Sequence, residues 1–297
     1  MTTHIFYHHD MDGIATYFSW AHCLVQQDTF GLIVTSSVKE RFFDMKLVLP
    51  EDSVVFLDLC PDPKTLEELF DKEISHITVI DHHEGAVPNI EAIESLFMGR
   101  CTVHFDPKAK GACLIPWAVA GKAVPDAIQL IGARDGWDFS DSRTAPLHEW
   151  LTKVGPQVEA RAEWLPIFYD LCTRPHKLEE AISIGSQLVR HQGLRVLEHY
   201  RERCHRFMLK NGMEIPAVNT ESDISEVGNA LAASESLGVG VVWSMDPKGV
   251  RLSFRSEAGA HTTARECAES FGGSGRREAA GARISLGEFL PRLKGVL

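Results

Sequence analysis

An apolar run passes directly into acidic and imidazole side chains at Ile77-Thr78-Val79-Ile80-Asp81-His82-His83. A short run rich in β-branched residues predicts a buried strand. Unpaired charge at the end of such a strand costs free energy, so Asp81, His82 and His83 must be ligated or hydrogen-bonded. The stretch therefore predicts a covered sheet with a polar site at one strand end.

Two earlier stretches have the same organisation. His4-Ile5-Phe6-Tyr7 leads into His8-His9-Asp10-Met11-Asp12-Gly13, and Asp58 ends Val54-Val55-Phe56-Leu57. Strands are predicted at residues 4–8, 31–36, 53–58 and 76–81, with helices at 12–26 and 63–72. This alternation predicts an α/β fold with a parallel sheet, whose ligands bind at the carboxyl ends of the strands. The three polar strand ends are predicted to form one metal site.

Each position also has a simpler reading. Asp10 or Asp12 could cap the helix that follows, Asp58 could be a turn residue before Pro61, and His82 could be a hydrogen-bonded core histidine. The same feature at three strand ends favours metal ligation, because carboxylate oxygen and imidazole nitrogen are ligands of Mn²⁺ and Mg²⁺.

Composition limits the function classes. The chain has 297 residues, 44% hydrophobic and 24% charged residues, and a formal net charge of -11. This acidity disfavours binding of long nucleic acid, and no aromatic-plus-basic stripe for stacking single strands is found. A small phosphorylated ligand remains compatible with a metal site. Seven scattered cysteines without a CxxC motif, no leader and no long apolar segment predict a cytoplasmic protein without a membrane partner.

The second half changes pattern twice. Residues 111–172 are predicted to be mostly helical, and residues 177 to about 207 are predicted to form one long amphipathic helix. From residue 212 onward, strands and a helix predict a smaller mixed α/β domain. The predicted domains are a metal-binding domain at 1–175, a helical connector at 176–211 and a substrate-binding domain at 212–297.

A glycine-rich stretch, Gly272-Gly273-Ser274-Gly275-Arg276, lies in this last domain. Glycine-rich turns expose backbone N–H groups that can bind an anion. The stretch is not a P-loop, because no Gly-Lys-Ser/Thr follows. On its own it is more typical of a flexible loop.

Four segments resemble the successive motifs of the DHH phosphoesterase superfamily. They are Tyr7–Gly13, Phe56-Leu57-Asp58, Ile80-Asp81-His82-His83 and Ala133-Arg134-Asp135. This superfamily includes RecJ-type exonucleases, nanoRNases, cyclic-dinucleotide phosphodiesterases and manganese exopolyphosphatases. The order of the motifs matches over residues 4–137. The resemblance implies a metal-dependent phosphoesterase.

The resemblance also implies roles for individual residues. One Mn²⁺ would be held by His8, Asp10 and Asp58, and His9 competes with His8 for this role. The second would be held by Asp12, Asp58, His82 and Asp135, so that Asp58 bridges. Mg²⁺ or another divalent ion is the alternative. Asp58, Asp81 and His83 would form the catalytic group, with Asp81 in support and His83 facing the phosphate.

The glycine-rich stretch and its continuation, Ala279-Ala280-Gly281, resemble the Gly-Gly-Gly-His-x-x-Ala-Ala-Gly motif of the DHH-associated domain. Ser253-Phe254-Arg255-Ser256 resembles the strand of that domain that carries a substrate-binding arginine. The resemblance implies that Arg255, Gly273, Ser274, Gly275 and Arg276 bind substrate. Arg276 replaces the family histidine, and an arginine keeps a phosphate donor but cannot shuttle a proton.

The function expected first is hydrolysis of short oligonucleotides or dinucleotides to nucleoside 5′-monophosphates. The alternative is an exopolyphosphatase or pyrophosphatase-type phosphohydrolase, which Arg276 favours because a second fixed cation suits a dense polyanion. A non-catalytic nucleotide-sensing module is the third hypothesis. The expected partners are a short nucleotide or polyphosphate substrate, with a second copy of the chain as a candidate for a homodimer.

Overall fold

The computed structural model describes residues 2–24, 32–38, 45–155, 161–234 and 236–294. They form two compact units, Met1–Val189 and Arg190–Leu297. Parts of three predicted elements lie outside the described residues, at positions 25, 26, 31 and 156–160. Within the described ranges, no helix combines the length and the apolar character needed to cross a membrane.

The first unit contains a five-stranded sheet in which all neighbouring strands are parallel. The strand order is β2-β1-β3-β4-β5. The strands are β1 (Thr2–His8), β2 (Leu32–Val38), β3 (Ser53–Leu57), β4 (His76–Asp81) and β5 (Cys101–Phe105). The predicted parallel α/β class is confirmed, and β5 is a strand that the sequence analysis did not identify.

The strand order places a crevice at the carboxyl end of β1. β2 pairs with one edge of β1, and β3 pairs with the other, so the strand order reverses direction at β1. Ligands of open α/β sheets bind at such a reversal point. Tyr7 is in register with Leu57, and Leu57 with Ile80, so three polar strand ends reach the same level.

Helices cover both faces of this sheet. They are α1 (Met11–Cys23), α2 (Pro63–Phe70), α3 (Val87–Leu96), α4 (Ile115–Val119), α5 (Asp126–Asp135), α6 (Thr144–Lys153), α7 (Arg161–Thr173) and α8 (Pro175–Arg203). Ile5 and Tyr7 belong to one buried cluster together with residues of α1 and α5. Phe6 belongs to another, with residues of α2 and α3. Alternate side chains of β1 therefore enter opposite cores, as strand geometry requires.

The second unit contains a seven-stranded mixed sheet in the order β10-β11-β9-β8-β7-β6-β12. Its strands are β6 (Cys204–Met208), β7 (Glu214–Asn219), β8 (Val239–Asp246), β9 (Gly249–Ser256), β10 (Ser274–Gly275), β11 (Ala279–Ile284) and β12 (Leu293–Lys294). The helices are α9 (Ile224–Ala233), α10 (Ala264–Ser270) and α11 (Leu286–Phe289). Within the described ranges, β7 and β8 are the one parallel pair of this sheet, and α9 lies between them in sequence.

Candidate metal centre

Three strand ends supply the first part of the centre. His8 and Asp81 are the last residues of β1 and β4, and Asp58 directly follows β3. Residues 53–58 were predicted as a strand, but the strand ends at Leu57 because Asp58 has a left-handed backbone with φ of 58°. Its N–H still donates to the Ile80 carbonyl at 2.8 Å. This turn of the backbone occurs at a carboxylate that is 2% exposed.

The first ligand group consists of His8, Asp10 and Asp58, each with a ligand atom within 4.8 Å of the others. His8 Nδ1 lies 2.6 Å from Asp10 Oδ2 and 3.4 Å from Asp58 Oδ2. Asp10 also caps α1, because its Oδ1 accepts the N–H of Gly13 at 2.9 Å. Capping and ligation are therefore compatible in one carboxylate. A Cβ atom on Gly13 would lie 2.2 Å from the His8 carbonyl oxygen, so this close turn requires glycine.

The second ligand group consists of Asp12, His82 and Asp135, again within 4.8 Å of one another. His82 Nε2 lies 3.2 Å from Asp135 Oδ2 and 3.8 Å from Asp12 Oδ2. It also lies 3.6 Å from Asp58 Oδ1. Asp58 thus has one oxygen directed at each group, which is the geometry required of a bridging carboxylate.

Backbone groups hold the second ligand group in place. The N–H groups of Ala112 and Cys113 donate to the two oxygens of Asp12 at 2.7 and 3.2 Å. His82 Nδ1 lies 2.9 Å from the carbonyl oxygen of Ala109. Because a carbonyl only accepts, Nδ1 carries the proton and the Nε2 lone pair is available to a metal. A Cβ atom on Gly111 would lie 2.8 Å from Asp12 Oδ1, so this approach also requires glycine.

Asp81 orients the histidines. Its Oδ1 accepts the N–H groups of His82 and His83 at 2.8 and 3.2 Å, and His83 Nδ1 at 2.6 Å. Asp81 is buried, whereas the side chain of His83 is 33% exposed. Asp81 therefore fixes the ring of His83, whose other nitrogen is left for a ligand. Asp58, His82 and His83 form the third ligand group in the described ranges.

The centre carries more negative charge than its surroundings neutralise. Burial, and next the charge of Asp135, raises the pKa of Asp12 to about 6. Burial and the charges of Asp12 and Asp10 raise the pKa of Asp58 well above its usual range. Burial lowers the pKa of His82, but the close approach of Asp135 to its Nε2 and the charge of Asp12 outweigh it and raise that pKa to about 9. The centre is electrostatically complementary to cations.

The donor set fits divalent metal ions. Asp58 Oδ1 and His82 Nε2 are buried polar atoms that have no hydrogen-bond partner within the described part of the chain. Such atoms are costly unless a ligand satisfies them. Carboxylate oxygens combined with two or three imidazole nitrogens suit Mn²⁺, whereas Mg²⁺ suits sites with fewer nitrogen ligands. His9, the competing candidate, belongs to none of the three groups found among the described residues.

The sequence matches no protein-family model and no curated protein sequence. The DHH domain of a protein that belongs to a family of ribosomal proteins aligns with 97% of this chain and 83% of its own, at 13% identity and a TM-score of 0.59. The pGpG-specific phosphodiesterase PggH from Vibrio cholerae aligns with 97% of this chain and 95% of its own, at 14% identity and a TM-score of 0.54. This chain has the DHH fold. The resemblance to the DHH superfamily is confirmed at the level of the fold.

In the second unit of this DHH fold, the candidate substrate-binding residues meet at one end of the sheet. Arg255 on β9 is in register with Ala279 on β11, and the Arg276 N–H donates to the Ala279 carbonyl at 2.8 Å. Arg255 also donates to Ser225 Oγ at 2.9 Å, at the start of α9. The side chain of Arg276 is exposed.

The glycine-rich stretch is neither a flexible loop nor a turn before a helix. Ser274 and Gly275 form β10, which pairs antiparallel with β11. A Cβ atom on Gly273 would lie 2.1 Å from the Gly281 carbonyl oxygen, and Gly275 has φ of 153°. Glycine therefore allows two backbones to approach closely beside Arg276.

Sequence reasoning missed the groups that support the ligands in the DHH fold. The carbonyl of Ala109 and the N–H groups of Ala112 and Cys113 are backbone atoms, and backbone atoms leave no side-chain signature. Gly111, the first residue of the predicted helical segment 111–172, is a sequence signal that could have indicated a close approach there. Arg134, Trp137 and Phe139, next to Asp135, were also not singled out as a group.

Proposed function

We propose that the chain is a two-manganese phosphodiesterase that hydrolyses short oligonucleotides or dinucleotides to nucleoside 5′-monophosphates. The observation that carries this proposal is the position of Asp58 between two groups of ligand atoms. One oxygen lies 3.4 Å from His8 and the other 3.6 Å from His82. Two-metal phosphoesterases require such a shared carboxylate, because their ions lie about 3.5–4 Å apart.

The ligand residues divide between two ions. His8, Asp10 and Asp58 would hold one, and Asp12, His82 and Asp135 would hold the other together with Asp58. When bound, the ions would lower the pKa of an attacking water and neutralise charge on the phosphate. The space between the two groups is lined by buried carboxylates, so an anionic phosphate has little affinity for it without the ions.

His83 is the residue placed to act on the phosphate. Asp81 holds its Nδ1 at 2.6 Å, which leaves Nε2 as the group that faces a ligand. A protonated Nε2 donates to a phosphate oxygen and stabilises the charge that develops there during in-line displacement. Because Asp81 is buried and also accepts two backbone N–H groups, the ring is oriented before substrate binds.

Arg255 and Arg276 supply phosphate-binding groups in the second unit. A guanidinium binds phosphate as a planar fork. The formal net charge of -11 disfavours long polyanions and supports a short substrate. The DHH fold is shared with a phosphodiesterase that is specific for the dinucleotide pGpG, which supports the same substrate class.

Hydrolysis of polyphosphate or pyrophosphate is the second candidate. The observation that favours it is the exposed side chain of Arg276, an additional permanent cation beside Arg255. Such a substrate would release orthophosphate, whereas an oligonucleotide would release a mononucleotide.

The test is a hydrolysis screen of the 297-residue chain with excess Mn²⁺. The substrates are dinucleotides, short oligonucleotides, cyclic dinucleotides and polyphosphate, and the products are separated by chromatography. We expect Mn²⁺-dependent release of nucleoside 5′-monophosphates. Asp58→Asn should lose turnover by more than about a hundredfold, and Asp71→Asn, an exposed carboxylate of the same unit, should not.

Three outcomes distinguish the hypotheses. Orthophosphate release from polyphosphate alone would replace the proposal by its alternative. Full activity of Asp58→Asn would refute a shared metal site. Nucleotide binding without bound manganese and without turnover would instead identify a sensing module.

A further inference from the structure

We propose that Arg134, Trp137 and Phe139 form a nucleobase-binding platform beside the metal centre. The inference rests on the proposed function. It adds a protein surface that would bind the base of a nucleotide and thereby favour a nucleotide over a polyphosphate. The platform is a compact cluster at the end of α5. It differs from the extended aromatic-plus-basic stripe that is typical of proteins that bind long single strands.

The cluster presents aromatic surface to solvent. Trp137 and Phe139 are each 40% exposed, and their ring centroids lie 4.9 Å apart with an interplanar angle of 87°. The Arg134 guanidinium carbon lies 4.2 Å from the Trp137 ring centroid and 5.5 Å from that of Phe139. Aromatic faces combined with an arginine are the groups on which nucleobases stack.

Trp137 has an unfavourable backbone conformation for a residue with a large side chain. The Trp137 N–H donates to the Arg134 carbonyl at 3.1 Å, and the Asp138 N–H to the Ala133 carbonyl at 2.7 Å. These two bonds form a Schellman motif at the C-terminus of α5. In this motif, the residue at the position of Trp137 has a left-handed backbone and is usually glycine. Trp137 has φ of 56°. A large, exposed side chain at a position that favours glycine indicates a role for the ring other than stability.

The platform is held rigidly before any ligand binds. Asp138, between the two aromatic residues, pairs with Lys110 and accepts the N–H of Ser140 at 2.8 Å. A Cβ atom on Gly136 would lie 3.0 Å from the Lys110 Cβ atom, so the two segments are in close contact. A rigid aromatic surface binds with little loss of conformational entropy.

The position fits the nucleoside of a substrate whose phosphate lies at the ions. Trp137 is two residues from Asp135, so their Cα atoms lie within about 7.6 Å. In a nucleotide, one ribose separates the phosphate from the base. A phosphate held beside Asp135 therefore places its base within reach of the indole. Polyphosphate has no aromatic face and would make no use of the platform.

The first experiment compares a dinucleotide such as pApA with the same molecule lacking one base. Stacking of one base changes affinity by about 5- to 150-fold. We expect the wild-type KM to differ between the two substrates by a factor in this range. In Trp137→Gly, which removes the ring and suits the left-handed backbone, the ratio should fall toward one.

Trp137→Phe should restore the ratio, because it keeps an aromatic face. The matched control is Tyr169→Ala, which removes an aromatic side chain that is 51% exposed in the same unit. Its ratio should equal that of the wild type. An unchanged ratio in Trp137→Gly, or an equal loss in Tyr169→Ala, would overturn the proposal.

The second experiment does not depend on catalysis. Calorimetry of the Mn²⁺-loaded protein should show tighter binding of AMP than of ribose 5-phosphate, and Trp137→Gly should bind the two equally. If no nucleotide is hydrolysed but this difference is present, the proposed function fails and the platform stands. If nucleotides are hydrolysed and AMP has no advantage, the platform fails alone.

Discussion

Asp58→Asn should stabilise the protein without metal and destabilise it, relative to the wild type, with metal. Without a cation, Asp58 is a buried carboxylate whose Oδ1 has no hydrogen-bond partner in the described part of the chain. Burial first, and then the charges of the neighbouring carboxylates, raise the pKa of Asp58 well above its usual range. An amide of the same shape removes the charge of Asp58. Asparagine also accepts the left-handed backbone at φ of 58°.

The expected change in the free energy of unfolding has two contributions, the loss of a buried charge and the loss of a metal ligand. A buried group without a hydrogen-bond partner costs about 1–3 kcal/mol, and more when it is charged. The asparagine amide remains polar and removes only the excess that is due to the charge, so the variant should gain about 1 kcal/mol in EDTA. In a unit of this size, 1 kcal/mol corresponds to about 2–4 °C in the melting temperature. Mn²⁺ at 100 times its Kd stabilises the wild type by about 2.7 kcal/mol. The variant lacks the shared metal ligand and should gain much less stability from Mn²⁺. With metal, the wild type should therefore be the more stable protein.

The assay is thermal unfolding of the wild type and Asp58→Asn at pH 8, with EDTA or with excess MnCl₂. Asp71→Asn serves as the control and should follow the wild type in both conditions. A variant that is less stable than the wild type in EDTA would refute the electrostatic account. An equal gain from Mn²⁺ in both proteins would refute the ligand role of Asp58.

Three further outcomes are expected. In EDTA, the free energy of unfolding should fall by about 2 kcal/mol as the pH rises from 4 to 7, because native Asp12 keeps its proton up to a pKa of about 6 while an unfolded aspartate releases it near 3.9. Urea unfolding at each pH measures this, and a rising stability would contradict it. Asp81→Asn should lower kcat by about 10- to 100-fold with full metal content, because it loosens His83; steady-state kinetics with metal analysis test this, and loss of metal would make Asp81 a metal-holding residue. Trp137→Gly should be more stable than Trp137→Ala by about 1–2 kcal/mol, because only glycine avoids the left-handed penalty; the opposite order in chemical unfolding would argue against the strained backbone.

The strand ends of the first unit were predictable because buried parallel strands carry apolar runs that are easy to recognise. His8, Asp58 and Asp81 interrupt such runs abruptly. The step from three separate interruptions to one centre needed only the rule that parallel strands end at a common edge. The register of Tyr7, Leu57 and Ile80 places them at that edge.

The groups that make the centre rigid were not predictable from side-chain chemistry. Asp12 depends on two backbone N–H groups that lie about a hundred residues away in sequence, and His82 depends on the Ala109 carbonyl. Any residue type could supply these atoms. The glycine-rich stretch was misjudged for a related reason, since glycine permits both a loop and the close strand pairing of β10 with β11.

The attachment of Asp12 to the segment around Ala112 has a consequence for how the protein matures during synthesis. A nascent chain that has emerged only as far as β5 already contains His8, Asp10, Asp58 and His82, but Asp12 has no donors and Asp135 has not left the ribosome. Under the proposed two-ion function, the ligand set of the first cation would be complete at this stage, and that of the second only after α5 emerges. Metal loading would thus occur in two stages ordered by translation.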